Sequence, residues 1–318
     1  MILLIGGGGR KGRHLTRDLV DRGQRVVVLD RRPFEVPPFL APYLDKEVKV
    51  VIGDMLELPL LYRIIEENNV DSIIHLGFLG KDTASFYQTQ KANVDATTEV
   101  LEAARVFGLR RVTYISTVGA YFVGKRYPPT AMHEDMDLPL TANMYSTYQK
   151  KASEQICLAF AQEYGLSIPI IRPGFPWGPL ALDTQFVAER PWAQMVENAV
   201  AGKPSDYSHI CGVRKTLYIY FRDLAKAISL VHLAPSLRHN VYNASDGESH
   251  SLVEFADAVR EVIPEAEIKL GMIRSQKDVD LPPMSYARIK EDVGFTPDYD
   301  VRRGVRAYIE WLRERKYS

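Results

Sequence analysis

The run Gly6-Gly7-Gly8-Gly9-Arg10-Lys11-Gly12 places glycines at 6, 9 and 12, with two residues between each pair. Without Cβ atoms such a loop turns tightly and lets a pyrophosphate approach its backbone. The helix expected from Arg13 onward would offer the phosphates unpaired N–H groups and the positive end of its dipole. Context favours this reading over a bare glycine turn: an apolar strand, Ile2–Ile5, precedes the loop, an amphipathic helix follows it, and a second strand ends in Asp30. Asp30 lies eighteen residues beyond Gly12, where a carboxylate can accept hydrogen bonds from the adenosine ribose of NAD. Arg10, Lys11, Arg13, Arg31 and Arg32 crowd the same region. Their charges suit a 2′-phosphate and leave NADP open.

Such a loop needs a sheet behind it. Short runs rich in β-branched residues recur at Ile2–Ile5, Arg25–Leu29, Val48–Ile52, Ser72–Leu76, Arg111–Ile115 and Ser167–Ile171. Helical patterns at Arg13–Asp21, Leu61–Glu67, Ala92–Val106 and Lys151–Tyr164 fall between them. This order predicts a parallel sheet with helices on both faces. After Ile171 the rhythm breaks, with prolines at 173, 176, 179, 191 and 204. A second region is expected there, with helices at Phe221–His232, Leu252–Val262 and Val301–Arg315 and short strands at Val241–Asn243 and Glu267–Leu270.

Forty basic residues balance forty acidic ones, so no overall field steers the chain to nucleic acid or an anionic bilayer. A small molecule is the expected partner. The cysteines, Cys157 and Cys211, lack metal-ligand spacing, as do His75, His133, His209 and His232, so neither a disulfide framework nor a metal site is expected. No basic leader precedes an apolar core and no run reaches transmembrane length, which makes the cytoplasm the expected address.

Several separate segments agree on one relationship. Beside the glycine loop stand Gly53-Asp54-Met55, His75-Leu76-Gly77-Phe78, Asn93-Val94, and Ser116-Thr117-Val118-Gly119-Ala120-Tyr121. Further on come Arg172-Pro173-Gly174-Phe175-Pro176-Trp177-Gly178-Pro179 and Gly294-Phe295-Thr296-Pro297. Together they resemble the extended short-chain dehydrogenase/reductase family in its NAD-dependent epimerase/dehydratase branch, from Met1 almost to the C-terminus. The resemblance implies an α/β fold: a Rossmann doubly wound parallel sheet with a smaller C-terminal α/β substrate-binding region. It gives residues 1–172 to an NAD(P)-binding domain, to which about 215–245 returns, and 173–318 mainly to the substrate. It also implies that Asp54 and Met55 lie at the adenine, that Leu76, Gly77, Phe78, Asn93 and Pro173 line the cofactor, that Thr117 takes the catalytic hydroxyl position, and that helix pairs form a homodimer.

The family's catalytic tyrosine has a lysine four residues later, whose positive charge stabilises the phenolate so that it can act as a base near neutral pH. Here the segment reads Tyr145-Ser146-Thr147-Tyr148-Gln149-Lys150-Lys151, and neither tyrosine has a lysine at that spacing. Counting back from Glu154 puts Lys150 in the lysine place, with Ser146 four residues before it and Tyr145 one residue early. The first pairing is Tyr145 with Lys150, if the helix starts late or bulges. The second is Tyr148 with Lys151, three apart on one face. Lys150 also falls where the family holds the nicotinamide ribose. Should both tyrosines be surface residues, the chain would be a dinucleotide-binding redox sensor without turnover. The family's diphosphate-binding asparagine is replaced by Phe175, which with Trp177 suggests an apolar substrate wall or else core packing. Arg214 is a candidate contact for a charged substrate. The expected reaction is oxidation or reduction at a secondary alcohol or ketone, with a nucleotide-sugar epimerase or dehydratase as an alternative.

Overall fold

The computed structural model describes residues 1–80, 84–122, 130–139, 145–180, 190–276 and 278–314. Strand β1 (Ile2–Ile5) runs into the glycine loop and helix α1 (Arg10–Asp21), followed by β2 (Val26–Asp30), β3 (Val48–Ile52), α2 (Leu58–Glu67) and β4 (Ser72–His75). Next come α3 (Phe86–Gln90), a π-helical turn at Lys91–Asp95, α4 (Ala96–Val106), β5 (Arg111–Ile115), a 3-10 turn at Val118–Tyr121, α5 (Tyr145–Tyr164) and β6 (Ile170–Pro173). Beyond them lie β7 (Phe175–Trp177), α6 (Pro191–Val200), β8 (Ser205–Cys211), β9 (Lys215–Thr216), β10 (Tyr218–Tyr220), α7 (Phe221–Leu233) and β11 (Val241–Ala244). The chain continues through β12 (His250–Ser251), α8 (Leu252–Val262), β13 (Ile268–Gly271), α9 (Ala287–Val293) and α10 (Val301–Glu314).

Seven strands form one parallel sheet in the order β11-β6-β5-β4-β1-β2-β3. The chain leaves β1 in one direction toward β2 and β3, then crosses to β4 on the other side. In doubly wound sheets this reversal opens a crevice at the carboxyl ends of the two middle strands. Each face of the sheet is apolar and covered. Leu15 and Leu19 of α1 and Leu224, Ile228 and Val231 of α7 pack on one side, while Leu61 and Ile64 of α2, Val100 and Leu101 of α4 and Cys157 of α5 pack on the other.

Several boundaries differ from the sequence expectation, and α1 and α2 each begin three residues early, at Arg10 and Leu58. The strand expected at 167–171 is β6 at Ile170–Pro173, because Pro169 has no N–H to give a ladder, although the Ser167 and Pro169 carbonyls still accept from Val112 and Tyr114. The helix expected from Ala92 already begins at Phe86 as α3, passes through a π turn that carries Asn93, and resumes as regular α-helix at Ala96. Such turns arise where a side chain is re-aimed at a site. The helix expected from Lys151 already begins at Tyr145.

A second core brings together α6, α8 and α10 with β7, β8, β10 and β13. Trp177 is one of its central rings, 2% exposed, edge-on to Phe255 at 4.7 Å and to Tyr220 at 5.1 Å. Its expected role as substrate wall gives way to packing, since a ring enclosed by other rings offers a ligand no surface. His14 joins the two cores: it stacks on Phe221 at 4.9 Å and Phe39 at 5.9 Å, and its Nε2 lies 3.0 Å from the Pro179 carbonyl. Trp177→Ala is expected to lower stability by about 3–5 kcal/mol, the usual cost of emptying a buried aromatic site, read as a shift of the denaturant midpoint.

Candidate active site

At the crevice the ends of β1 and β4 touch. Gly6 adopts φ +76°, and a Cβ there would lie 2.8 Å from the backbone of Gly77, so no side chain fits between the loop and the β4 end. Gly9 is the N-cap of α1 in extended conformation, and a Cβ on it would meet only the Gly6 carbonyl, at 3.4 Å. The space over Gly9 is therefore open, while the loop below it is tightly packed. A Cβ on Gly12 would strike Gly7 backbone atoms at 2.4 Å. The first turn of α1 holds Arg10 and Lys11 and no acidic residue, an arrangement that attracts phosphate. Burial lowers the pKa of Lys11.

Asp30 sits at the end of β2, where its carboxylate accepts from the backbone N–H of Gly8 at 3.0 Å and of Arg32 at 3.3 Å. It thus braces the loop and sets a negative charge where an adenosine ribose would lie. That charge would oppose a 2′-phosphate. The side chains of Arg31 and Arg32 are exposed, and Arg13 folds back to donate from Nε to the Gly8 carbonyl at 2.7 Å. Asp54 accepts from the Leu56 N–H at 3.0 Å, and Met55 rests on Gly77, its Sδ 2.9 Å from where a Cβ there would sit. Leu76 donates from its N–H to the Ile5 carbonyl at 2.9 Å.

The other half of the site hangs from α5. Lys150, 7% exposed, donates from Nζ to the Ile115 carbonyl at 2.6 Å, and its ammonium lies 4.9 Å from the Phe78 ring centre and 4.6 Å from that of Tyr114. Burial, helped by the charge of Lys11, lowers its pKa to about 7. Thr117 follows β5 and accepts the Gly119 N–H on its Oγ1 at 3.1 Å, which leaves its own proton to be donated elsewhere. Asn93 turns inward to bond the Leu79 backbone twice, at 2.6 and 2.9 Å, and donates to Gln149 Oε1 at 2.7 Å. It therefore fixes the segment after Phe78 to α5.

Of the two tyrosines expected to complete this group, only Tyr148 has a described side chain. The side chain of Tyr145 lies outside the described residues, but its backbone is the first residue of α5. The late start or bulge that its pairing with Lys150 requires is absent from the described helix, and five residues of regular helix separate the two by about 140° around the axis. Tyr148 is 40% exposed and stacks on Phe86 at 6.2 Å, while Lys151 Nζ donates to the Pro139 carbonyl at 2.6 Å. The second expected pair therefore does not converge on Thr117.

On the substrate side, Pro173 ends β6, and Phe175 opens β7 with its ring 39% exposed. Arg214 is half-buried in the turn after β8, and its charge acts on Tyr218 and Asp278. One feature not foreseen from sequence is the buried network behind the site. Arg172 makes two bonds to Glu154, at 2.7 and 3.0 Å, and a third to the Tyr121 hydroxyl at 3.0 Å, which itself donates to Asn243. An arginine on an apolar strand and a glutamate on the buried face of a helix are the signal that could have revealed it. Among the described residues no cluster of His, Cys, Asp and Glu forms a metal site, and no helix is long and apolar enough to cross a membrane.

Residues 2–245 match the model of the NAD dependent epimerase/dehydratase family. The chain belongs to this family. As an epimerase/dehydratase-family enzyme it is similar to a UDP-N-acetyl-alpha-D-glucosaminuronate decarboxylase of Bacillus cytotoxicus, 23% identical with 98% of this chain and 97% of the relative covered. It is also similar to a 2-alkyl-3-oxoalkanoate reductase of Stenotrophomonas maltophilia, 28% identical over 78% of this chain and 71% of the relative. Among solved structures, the UDP-glucose 4-epimerase of Thermotoga maritima superposes with TM-score 0.80 at 21% identity, covering 99% of both chains. The protein MoeE5, solved with UDP-glucuronic acid and NAD, does so with TM-score 0.78 at 25% identity, again covering 99% of each.

NAD is the cofactor of this family, and the open backbone over Gly9 with the Asp30 carboxylate beyond it fits that molecule. The two outer glycines should then separate in experiment. Gly9→Ala is expected to keep the parent melting temperature yet weaken NAD by about tenfold or more in calorimetry, equivalent to about 1.4 kcal/mol. Gly12→Ala is expected to lower the melting temperature as well.

Proposed function

We propose that this chain is an NAD-dependent oxidoreductase acting on a hydroxyl- or keto-bearing carbon of a small molecule of the sugar-derivative class. The observation that carries this reading is Lys150, whose buried amino group is pinned to the end of β5 beside Thr117 and across the crevice from the glycine loop. A lysine with a pKa near 7 can hold or release a proton at working pH. Thr117 can donate a hydrogen bond to a substrate oxygen, because the bond it accepts from the Gly119 N–H does not use the hydroxyl proton. Phe78 screens the lysine from water, which strengthens its interaction with a polar substrate. Bound NAD would supply the hydride-accepting ring.

The nucleotide-sugar alternative draws on the relatives named for UDP-sugars. Against it stands Phe175, an exposed ring in the place where the family holds a diphosphate-binding asparagine. The reductase relative, named for an alkyl keto acid, is closer to such an apolar wall. A test is to incubate the purified protein with NAD or NADH and a panel of UDP- and dTDP-sugars, secondary alcohols and ketones. Reduced nicotinamide would be followed by absorbance and isomerised or dehydrated products by chromatography. Turnover of at least one class is expected, with Lys150→Met lowering kcat/KM about 100-fold or more. NAD binding without turnover across the panel would favour the redox-sensing reading instead.

A further inference from the structure

The inward arc of α5 is sharply defined. Thr147, Gln149, Lys150, Ser153 and Glu154 are each at most 7% exposed, whereas Tyr148 is 40% exposed. On a regular helix Ser146 lies about 40° from Lys150 around the axis, inside that arc, whereas Tyr145 falls about 140° away, toward the Tyr148 side. Ser146 differs from the rest of the arc in being only half-buried. Helix α5 joins the parallel strands β5 and β6 and so runs against them, which brings its first turn to the carboxyl edge of the sheet. There the arc meets the turn that follows Thr117, since a Cβ on Gly119 would lie 3.1 Å from Thr147 Oγ1 and 3.4 Å from Thr117 Oγ1.

We propose that Ser146, rather than either tyrosine, is the hydroxyl that faces the oxygen of the reacting carbon and relays its proton to Lys150. This rests on the reading of the crevice as a site of hydride transfer. In the oxidising direction the substrate O–H proton passes to Ser146 Oγ as the serine proton passes to the neutral Lys150 amine, leaving an ammonium. The C–H electron pair leaves as hydride to NAD, so a ketone, NADH and one stored proton result. Reduction is the reverse. Because Lys150 must be neutral to accept, oxidation is expected to rise with pH through an inflection near 7, and reduction to fall through it. The groups around that amine are Lys11 from α1, His75 from β4, Tyr114 from β5, and Glu154 and Cys157 from α5.

The position of Ser146 can be tested without any substrate. In Ser146→Tyr the new phenol and the Lys150 amine would share a proton as a phenolate–ammonium pair, so phenolate absorbance is expected to appear below the ordinary value of about 10 while the amine titrates higher. The shift should vanish when Lys150→Met is added. If that variant does not fold, Ser146→Cys provides the same reading. Its thiol, followed by site-resolved alkylation against pH, is expected to ionise below the usual value of about 8.5, again only while Lys150 is present. Ordinary titration, or a shift indifferent to Lys150, overturns the assignment. With a turned-over substrate, Ser146→Ala is expected to lower kcat about 100-fold and shift the pH profile. A loss confined to Tyr145→Phe would overturn it too. The titrations need no turnover, so an inactive protein with a Lys150-dependent phenol counts against the oxidoreductase reading alone.

Discussion

Glu154 and Arg172 meet at 2.7 Å with 0% and 4% of their side chains exposed. Charges so enclosed lose most of their hydration, and only the two-pronged geometry and the third bond to Tyr121 offset that loss. Removing either partner would leave a buried charge, a defect that costs about 3–5 kcal/mol in comparable pairs. Glu154 stands one turn beyond Lys150 on the same face of α5, and Arg172 is in β6 beside β5, the strand that leads to Thr117. The pair therefore ties helix to sheet beside the Lys150 amine and the Thr117 hydroxyl, the groups proposed to meet one substrate. Burial strengthens the field of Glu154 at Lys150, yet desolvation remains the larger influence on that lysine.

The second constraint is the contact of Gly6 with Gly77, where two strand ends approach too closely for a side chain. It makes the phosphate loop continuous with the segment that carries Phe78, whose ring covers Lys150. The glycine loop and the segment over Lys150 thus follow adjacent strands of one sheet.

The sheet was legible because parallel strands buried on both faces read as unbroken runs such as Val26–Leu29 and Ser72–His75, and the glycine loop because its spacing has only a few physical uses. Local exceptions were less visible. Pro169 moved a strand boundary, and the π turn at Lys91–Asp95 leaves no trace in a hydrophobic pattern. Trp177 could be read as a ligand wall or as core, since an aromatic ring serves both and only its neighbours decide. The tyrosines were the hardest case. Whether Tyr145 could meet Lys150 depended on the residue at which α5 begins, and helix starts are what sequence patterns locate least well.

The imidazole of His14, pressed between two aromatic rings, is held uncharged, its pKa lowered by burial to about 4. His75 and His232 are likewise enclosed and lowered by burial to about 3. In the unfolded chain all three would accept protons near their ordinary value of about 6.5. As acidity increases from there toward pH 4, the disordered ensemble gains protons that the native form refuses, and each uptake tilts the balance by up to about 1.4 kcal/mol per pH unit. Mild acid therefore acts on this molecule from within, through three enclosed imidazoles that only the unfolded chain can protonate, before the carboxylates on its surface are titrated.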